Sequence, residues 1–252
     1  MRRKLLFVSL VSLILGFLVL FIVMPLVLKG GFPLPGIWKI VGEVSKSEQR
    51  INLINGLGGT FIRFSASVII GVLLGIFLGV AQKHSPVFDA SLSYWLDIFR
   101  ITPSIVWISL LYIFLIPADI IPIIISSFFT AFYIALAVEE AITTIPENEL
   151  IYTYAQRKQS DFNWKVEYCY KPRIFASASS GMRTGGSIAL ILVIVSEAFV
   201  YTPNSLGRLL FSYQLTHAKE LLWAVVFILA ILALCFSVLF RGLEKLAGGE
   251  SK

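Results

Sequence analysis

Residues 60–80 read Thr-Phe-Ile-Arg-Phe-Ser-Ala-Ser-Val-Ile-Ile-Gly-Val-Leu-Leu-Gly-Ile-Phe-Leu-Gly-Val, and their only charge is Arg63, near the start. An α-helix rises 1.5 Å per residue, so about 20 apolar residues cross a hydrocarbon core about 30 Å thick. This stretch has that length and that character. Gly71, Gly75 and Gly79 stand four apart, on one helical face, where neighbouring backbones approach closely. Tight packing between helices of the same chain is the favoured reading of that face, with a dimer contact as the alternative.

The rest of the chain extends the pattern. Its 252 residues are 57% hydrophobic and only 14% charged, against about 25% charged in a soluble domain, and mean hydropathy is +0.85. Further spans are expected at 5–28, 88–116, 120–138, 185–201 and 221–240. The third is broken by Pro103 and bounded by Pro117-Ala-Asp119. The first follows Arg2, Arg3 and Lys4, as a secretory signal would. It is too long for one, however, and runs into Lys29-Gly-Gly-Phe-Pro-Leu-Pro-Gly36 without a small-x-small cleavage site, so it reads as a retained helix. The expected fold is an all-α integral membrane protein, one permease-like domain over 1–252 with six transmembrane helices.

Orientation follows from Lys and Arg, which accumulate in cytoplasmic segments. With the amino terminus inside, the cytoplasmic segments carry thirteen of the 21 Lys and Arg residues (Arg2, Arg3, Lys4, Lys83, Arg157, Lys158, Lys165, Lys171, Arg173, Arg183, Arg241, Lys245 and Lys252), and the opposite side carries six. Both termini are therefore expected in the cytoplasm. The net charge of +6 is an orientation signal and not a nucleic-acid footprint. Segment 139–183 becomes the largest cytoplasmic feature, with Glu139, Glu140, Glu147, Glu149, Asp161 and Glu167 interleaved among basic residues. Connectors in helical bundles usually run about two to eight residues, so a partner is expected here.

Several chemistries lack their reagents. No Gly-x-x-x-x-Gly-Lys-Ser/Thr loop is present to cradle nucleotide phosphates. There is no His-Glu-x-x-His motif or Gly-x-Ser-x-Gly elbow, and His84 and His217 fall in separate loops. Cys169 and Cys235 form no CxxC pair. Neither a catalytic site, a metal nor a cofactor is expected. The residues that need explaining are the intramembrane charges Arg63, Asp97, Arg100 and Glu197, each of which must face protein, water or an opposite charge. Asp97 and Arg100, three apart on one face, either neutralise each other or line a translocation path together with Pro103. Glu197 calls for a tertiary partner such as Arg63 or Arg100. An ion-coupled secondary transporter or channel remains the alternative to a partner-driven permease, although no internal repeat links residues 1–125 with 126–252.

The order of features resembles the permease subunits of bacterial binding-protein-dependent ABC importers, in the branch serving nitrate, sulfonate, taurine, bicarbonate and some vitamin precursors. Phe32-Pro-Leu-Pro-Gly36 resembles that branch's extracytoplasmic segment, and Thr60-Phe-Ile-Arg63 with the three spaced glycines is similar to its second helix. Phe99-Arg100-Ile-Thr-Pro103 resembles its Arg-x-x-Pro element, Ser196-Glu197-Ala198 its acidic fifth-helix position, and Ser205-Leu-Gly207-Arg-Leu-Leu210 its Gly-Leu-Gly-type loop. The family's cytoplasmic Glu-Ala-Ala-x-x-x-Gly signature falls on Thr153-Tyr154-Ala155 and Gln159, with its closing proline at Pro172. Only Ala155 and Pro172 keep the residue type.

The resemblance implies a non-enzymatic subunit in the bacterial inner membrane, surrounded by lipid. It implies a second permease copy, a separate cytoplasmic ATPase and an external solute-binding protein. It also implies that 139–183 is a coupling loop whose short helix sits in a groove of the ATPase. Leu150, Tyr154 and Phe162 would anchor that helix, while Arg157, Lys158 and Asp161 set its orientation. Gln159 in place of glycine removes a close backbone approach, which a co-varied ATPase groove would accommodate.

Overall fold

The computed structural model describes residues 35–84, 86–144 and 171–247. Among them are eight helices: α1 (Ile37–Val44), α2 (Ser47–His84), α3 (Pro86–Ile101), α4 (Ser104–Ile113), α5 (Ile121–Thr143), α6 (Lys171–Phe199), α7 (Leu206–Leu215) and α8 (Lys219–Leu246). Four of them are long and apolar enough to cross a membrane, over 47–82, 121–143, 173–199 and 219–246. The span expected at 5–28 lies outside the described residues.

The span expected at 88–116 is not one rod. Its two pieces, α3 and α4, meet at a bend of 95°, the geometry of a broken span or of a re-entrant loop. The cause is local. Pro103 has no N–H to continue a helical ladder, and its ring disfavours helical geometry in the residue before it. Pro103 instead becomes the N-cap of α4, with φ −54° and ψ 132°. Other helices outrun their hydropathy windows, since α2 spans 38 residues and α6 spans 29. Hydropathy locates the apolar middle of a helix and not its polar ends, so Glu139–Thr143 and Lys171–Arg183, expected as loop, belong to α5 and α6.

At the centre stands α5, with 61% of its apolar window buried against 17% for α8. Glycines explain how it fits. A Cβ placed on Gly71 would lie 2.6 Å from Cβ of Thr130, one on Gly75 2.6 Å from Cβ of Ile134, and one on Gly79 2.7 Å from the Ala135 carbonyl oxygen. These three glycines therefore pack within the chain. From the other side, a Cβ on Gly181 would come within 2.9 Å of Cα of Ile134. Helix α5 is thus held between glycine faces of α2 and α6. Phe64, Val68, Ala189, Val193, Leu232 and Phe240 join α2, α6 and α8 in a neighbouring apolar cluster.

Candidate functional site

At one end of the bundle, four polar side chains close a buried network. Thr60 and Arg63 sit one turn apart on α2, Glu197 is near the end of α6, and Asp119 lies in the turn before α5. Glu197 is fully buried. Its carboxylate accepts hydrogen bonds from Thr60 Oγ1 at 2.8 Å, Arg63 Nη1 at 3.2 Å and the Gly207 amide at 3.2 Å. Arg63 Nη2 donates to Asp119 Oδ1 at 2.6 Å and to the Pro203 carbonyl at 2.9 Å, while Nη1 also reaches the Asn204 carbonyl at 3.2 Å. Thr60 Oγ1 in turn accepts from the Leu206 amide at 2.9 Å.

The segment between α6 and α7 is shaped to fit this network. Tyr201 and Asn204 adopt left-handed backbone, φ 56° and 46°, a conformation that costs about 1–2 kcal/mol outside glycine. Those turns aim the Pro203 and Asn204 carbonyls at Arg63. Ser205 then caps α7 by accepting from the Arg208 amide at 3.2 Å. The network fastens α2, α6, α7 and the turn before α5 together at one level, and its chemistry is that of a clamp.

A separate cavity of about 530 Å³ opens at the α3–α4 break, a volume within the usual range of small-ligand sites. It is lined by Ser93, Asp97, Ile101, Thr102, Pro103 and Ser104 from the broken segment, by Phe129, Phe132, Tyr133 and Leu136 from α5, and by Ile188 and Leu192 from α6. Tilted and edge-to-face rings stiffen the wall behind it. Phe99 lies 4.1 Å from Trp107 and 4.5 Å from Phe128, and Phe128 lies 4.2 Å from Phe132, between ring centroids. Helix breaks at mid-membrane depth are tolerated where the freed backbone lines a cavity.

The residues singled out in the sequence therefore separate into groups. Arg63 and Glu197 meet in the clamp, Asp97 and Pro103 line the cavity, and Arg100 lies on α3 with its side chain outside the described residues. Leu150, Thr153, Tyr154, Ala155, Arg157, Lys158, Gln159, Asp161 and Phe162 fall outside the described residues too. Pro172 stands beside the first described residue of α6. Sequence reasoning missed Thr60 and Asp119, although Thr60 lies three residues before Arg63. It also missed the aromatic wall, which only the meeting of α3 with α5 creates.

No family model matches the chain, and no curated protein matches it in sequence. Solved structures do. A chain of the MetNI methionine ABC transporter, in an inward-facing selenomethionine crystal form, superposes with a TM-score of 0.67 at 16% identity, covering 80% of this chain and 99% of that one. The native inward-facing crystal form gives a TM-score of 0.53 at 21% identity, covering 78% and 94%. The chain shares the fold of that chain of the methionine ABC transporter. Within that fold the described residues supply the helical core, the clamp and the cavity. Among them, no three His, Cys, Asp or Glu side chains gather to hold a metal.

Proposed function

We propose that the chain works as the permease subunit of an ABC importer, providing the path for a small solute while a separate ATPase supplies the free energy. The near-complete superposition on a MetNI chain, 99% of that chain's length, carries this reading. The missing nucleotide loop supports it from the sequence side, because a transporter of this kind without a phosphate-binding loop depends on another polypeptide. Alternation between inward- and outward-open states needs a differential free energy between them, and ATP binding and hydrolysis in the partner would provide it.

The partners and sites follow the resemblance. Segment 139–183 docks on the ATPase through Leu150, Tyr154 and Phe162, oriented by Arg157, Lys158 and Asp161, with Thr153, Ala155, Gln159 and Pro172 occupying the remaining signature positions. An external binding protein delivers the solute, and a second copy completes the path in the bacterial inner membrane. Nitrate, sulfonate, bicarbonate or a vitamin precursor is the solute range that the branch implies. Gentle purification from native membranes tests the reading. An ATPase subunit is expected to accompany the chain, to be lost on combining Tyr154→Glu with Arg157→Glu, and to drive ATP-dependent uptake in vesicles. A solitary protein that moves solute without ATP would overturn it.

A further inference from the structure

Asp97 is a carboxylate on the apolar, bent α3–α4 pair, and it is solvent-accessible in the cavity at the break. It has no hydrogen-bond or ion-pair partner among the described residues. The four ion pairs seen there join Lys46 to Glu43, Arg63 to both Asp119 and Glu197, and Arg183 to Glu244. No Lys, Arg or His is among the described residues lining the cavity. The other residues lining the cavity are the aromatic Phe129, Phe132 and Tyr133, the hydroxyl-bearing Ser93, Thr102 and Ser104, and apolar side chains.

A charge in such a place is unfavourable unless something compensates it. Aromatic faces carry negative potential and attract cations, so they reinforce the preference of the carboxylate. An oxyanion such as nitrate or a sulfonate would meet repulsion from Asp97 and, among the described residues, no compensating cation in the cavity lining. We infer that the cavity is a binding site for solutes bearing a protonated nitrogen on a small apolar or aromatic body, with Asp97 pairing the nitrogen and Phe132 and Tyr133 flanking it. This departs from the anions in the solute range that the branch implies, and it rests on the permease reading only for the cavity's role in transport. The binding itself does not require an ATPase, so the two can fail separately.

The test uses the protein purified with whatever subunits accompany it, in lipid nanodiscs without nucleotide. Binding of radiolabelled benzylammonium, benzyl alcohol and benzoate is measured by equilibrium dialysis; the three share a ring and differ in charge. Benzylammonium is expected to bind tightest. Asp97→Asn should weaken it about tenfold or more, as loss of a charge-assisted hydrogen bond does, while Asp97→Glu retains most of the affinity and benzyl alcohol is little affected. Unchanged melting of Asp97→Asn shows that the variant folds. Benzoate binding as well as benzylammonium, an Asp97→Asn variant with undiminished benzylammonium affinity, or no binding by any of the three would each overturn the inference. Co-purification of an ATPase is scored on the same preparations, so a failed binding assay leaves the transport reading to its own result.

Discussion

Arg63 is the residue on which one end of the bundle turns. Its guanidinium serves two carboxylates and two carbonyls, and Glu197, with no exposed surface, has no other cation beside it among the described residues. Removing one partner of a buried pair leaves an uncompensated charge and costs about 3–5 kcal/mol, so Arg63→Ala is expected to lower the detergent melting temperature sharply. Asp119 is different, because its side chain is 59% exposed; Asp119→Asn should cost less than about 1 kcal/mol. A double variant Arg63→Ala with Glu197→Ala should melt higher than the summed single losses imply, by a coupling on the order of 1–3 kcal/mol; strict additivity would mean the two do not act as a pair. Tyr213, on α7 outside the spanning helices, offers a pH test. It donates to Gln49 Oε1 at 2.9 Å, and burial, reinforced by the Glu48 carboxylate, raises its hydroxyl above the ordinary value of 10.0. A group with a raised folded value contributes stability that is fully present below the unfolded value and lost as pH climbs through the folded one. Tyr213→Phe should therefore cost about 1 kcal/mol at neutral pH and flatten the fall in stability measured above pH 10. The charge pattern made Arg63 and Glu197 visible in the sequence as groups in need of partners. The two carbonyls were not visible, since they depend on left-handed turns at Tyr201 and Asn204 that no local motif announces, and Asp119 was not, since it meets Arg63 across 56 residues of sequence.

At the scale of elements, the central fact is that α5 lies between two faces whose side chains are absent. Gly75 has no room for a Cβ, which would meet Cβ of Ile134 at 2.6 Å and the Ala131 carbonyl oxygen at 2.7 Å. Backbone carbonyl groups cannot rotate away as a side-chain tip can, so the helices would have to separate. Gly75→Val is expected to destabilise by about 1–3 kcal/mol, seen as reduced yield of folded protein and a lower melting temperature. Gly58, on the same helix, is open: a Cβ added there would meet nothing within 4 Å. At that position Ala relieves the entropic cost of glycine in a helix, and Gly58→Ala should stabilise by about 0.5–1 kcal/mol. Opposite signs for two glycines on one helix would separate packing from propensity. The spacing of Gly71, Gly75 and Gly79 announced this contact face in advance, because period four is a property of the sequence. The matching face of α6 at Gly181 and Gly185 went unread, since Lys171–Arg183 looked like polar loop until packing against α5 made it helix. Pro103 marked the break in the third span, but the size of the turn, 95°, is set by where α4 packs and not by proline alone.

For the whole molecule, the placement of Asp97 has a consequence for assembly. On the same helix as Asp97, Tyr94, Trp95, Ile98 and Ile101 are exposed, at 74%, 57%, 47% and 82%. Lipid could cover the apolar side chains, yet it would also press against a carboxylate with no partner among the described residues, at an insertion cost of about 2.5–3.5 kcal/mol near the bilayer centre. A second protein surface enclosing a watered path avoids that cost. Identical chains most often meet about a two-fold axis, and in such an interface a residue near the axis approaches its own copy. Ile101, at the break and largely exposed, is the position expected to do so. With Cys169 and Cys235 replaced by serine, Ile101→Cys in native membranes should form a disulfide-linked dimer on mild oxidation, visible on a non-reducing gel and abolished by reductant. Leu239→Cys is the control: it lies on α8 and is 53% exposed, but it belongs to the helix with the least buried apolar window, which lipid can cover without enclosing a charge. Cross-linking through Leu239→Cys and not through Ile101→Cys would put the second copy on the wrong face of the molecule for this cavity to be shared, and the path would then have to run within a single chain.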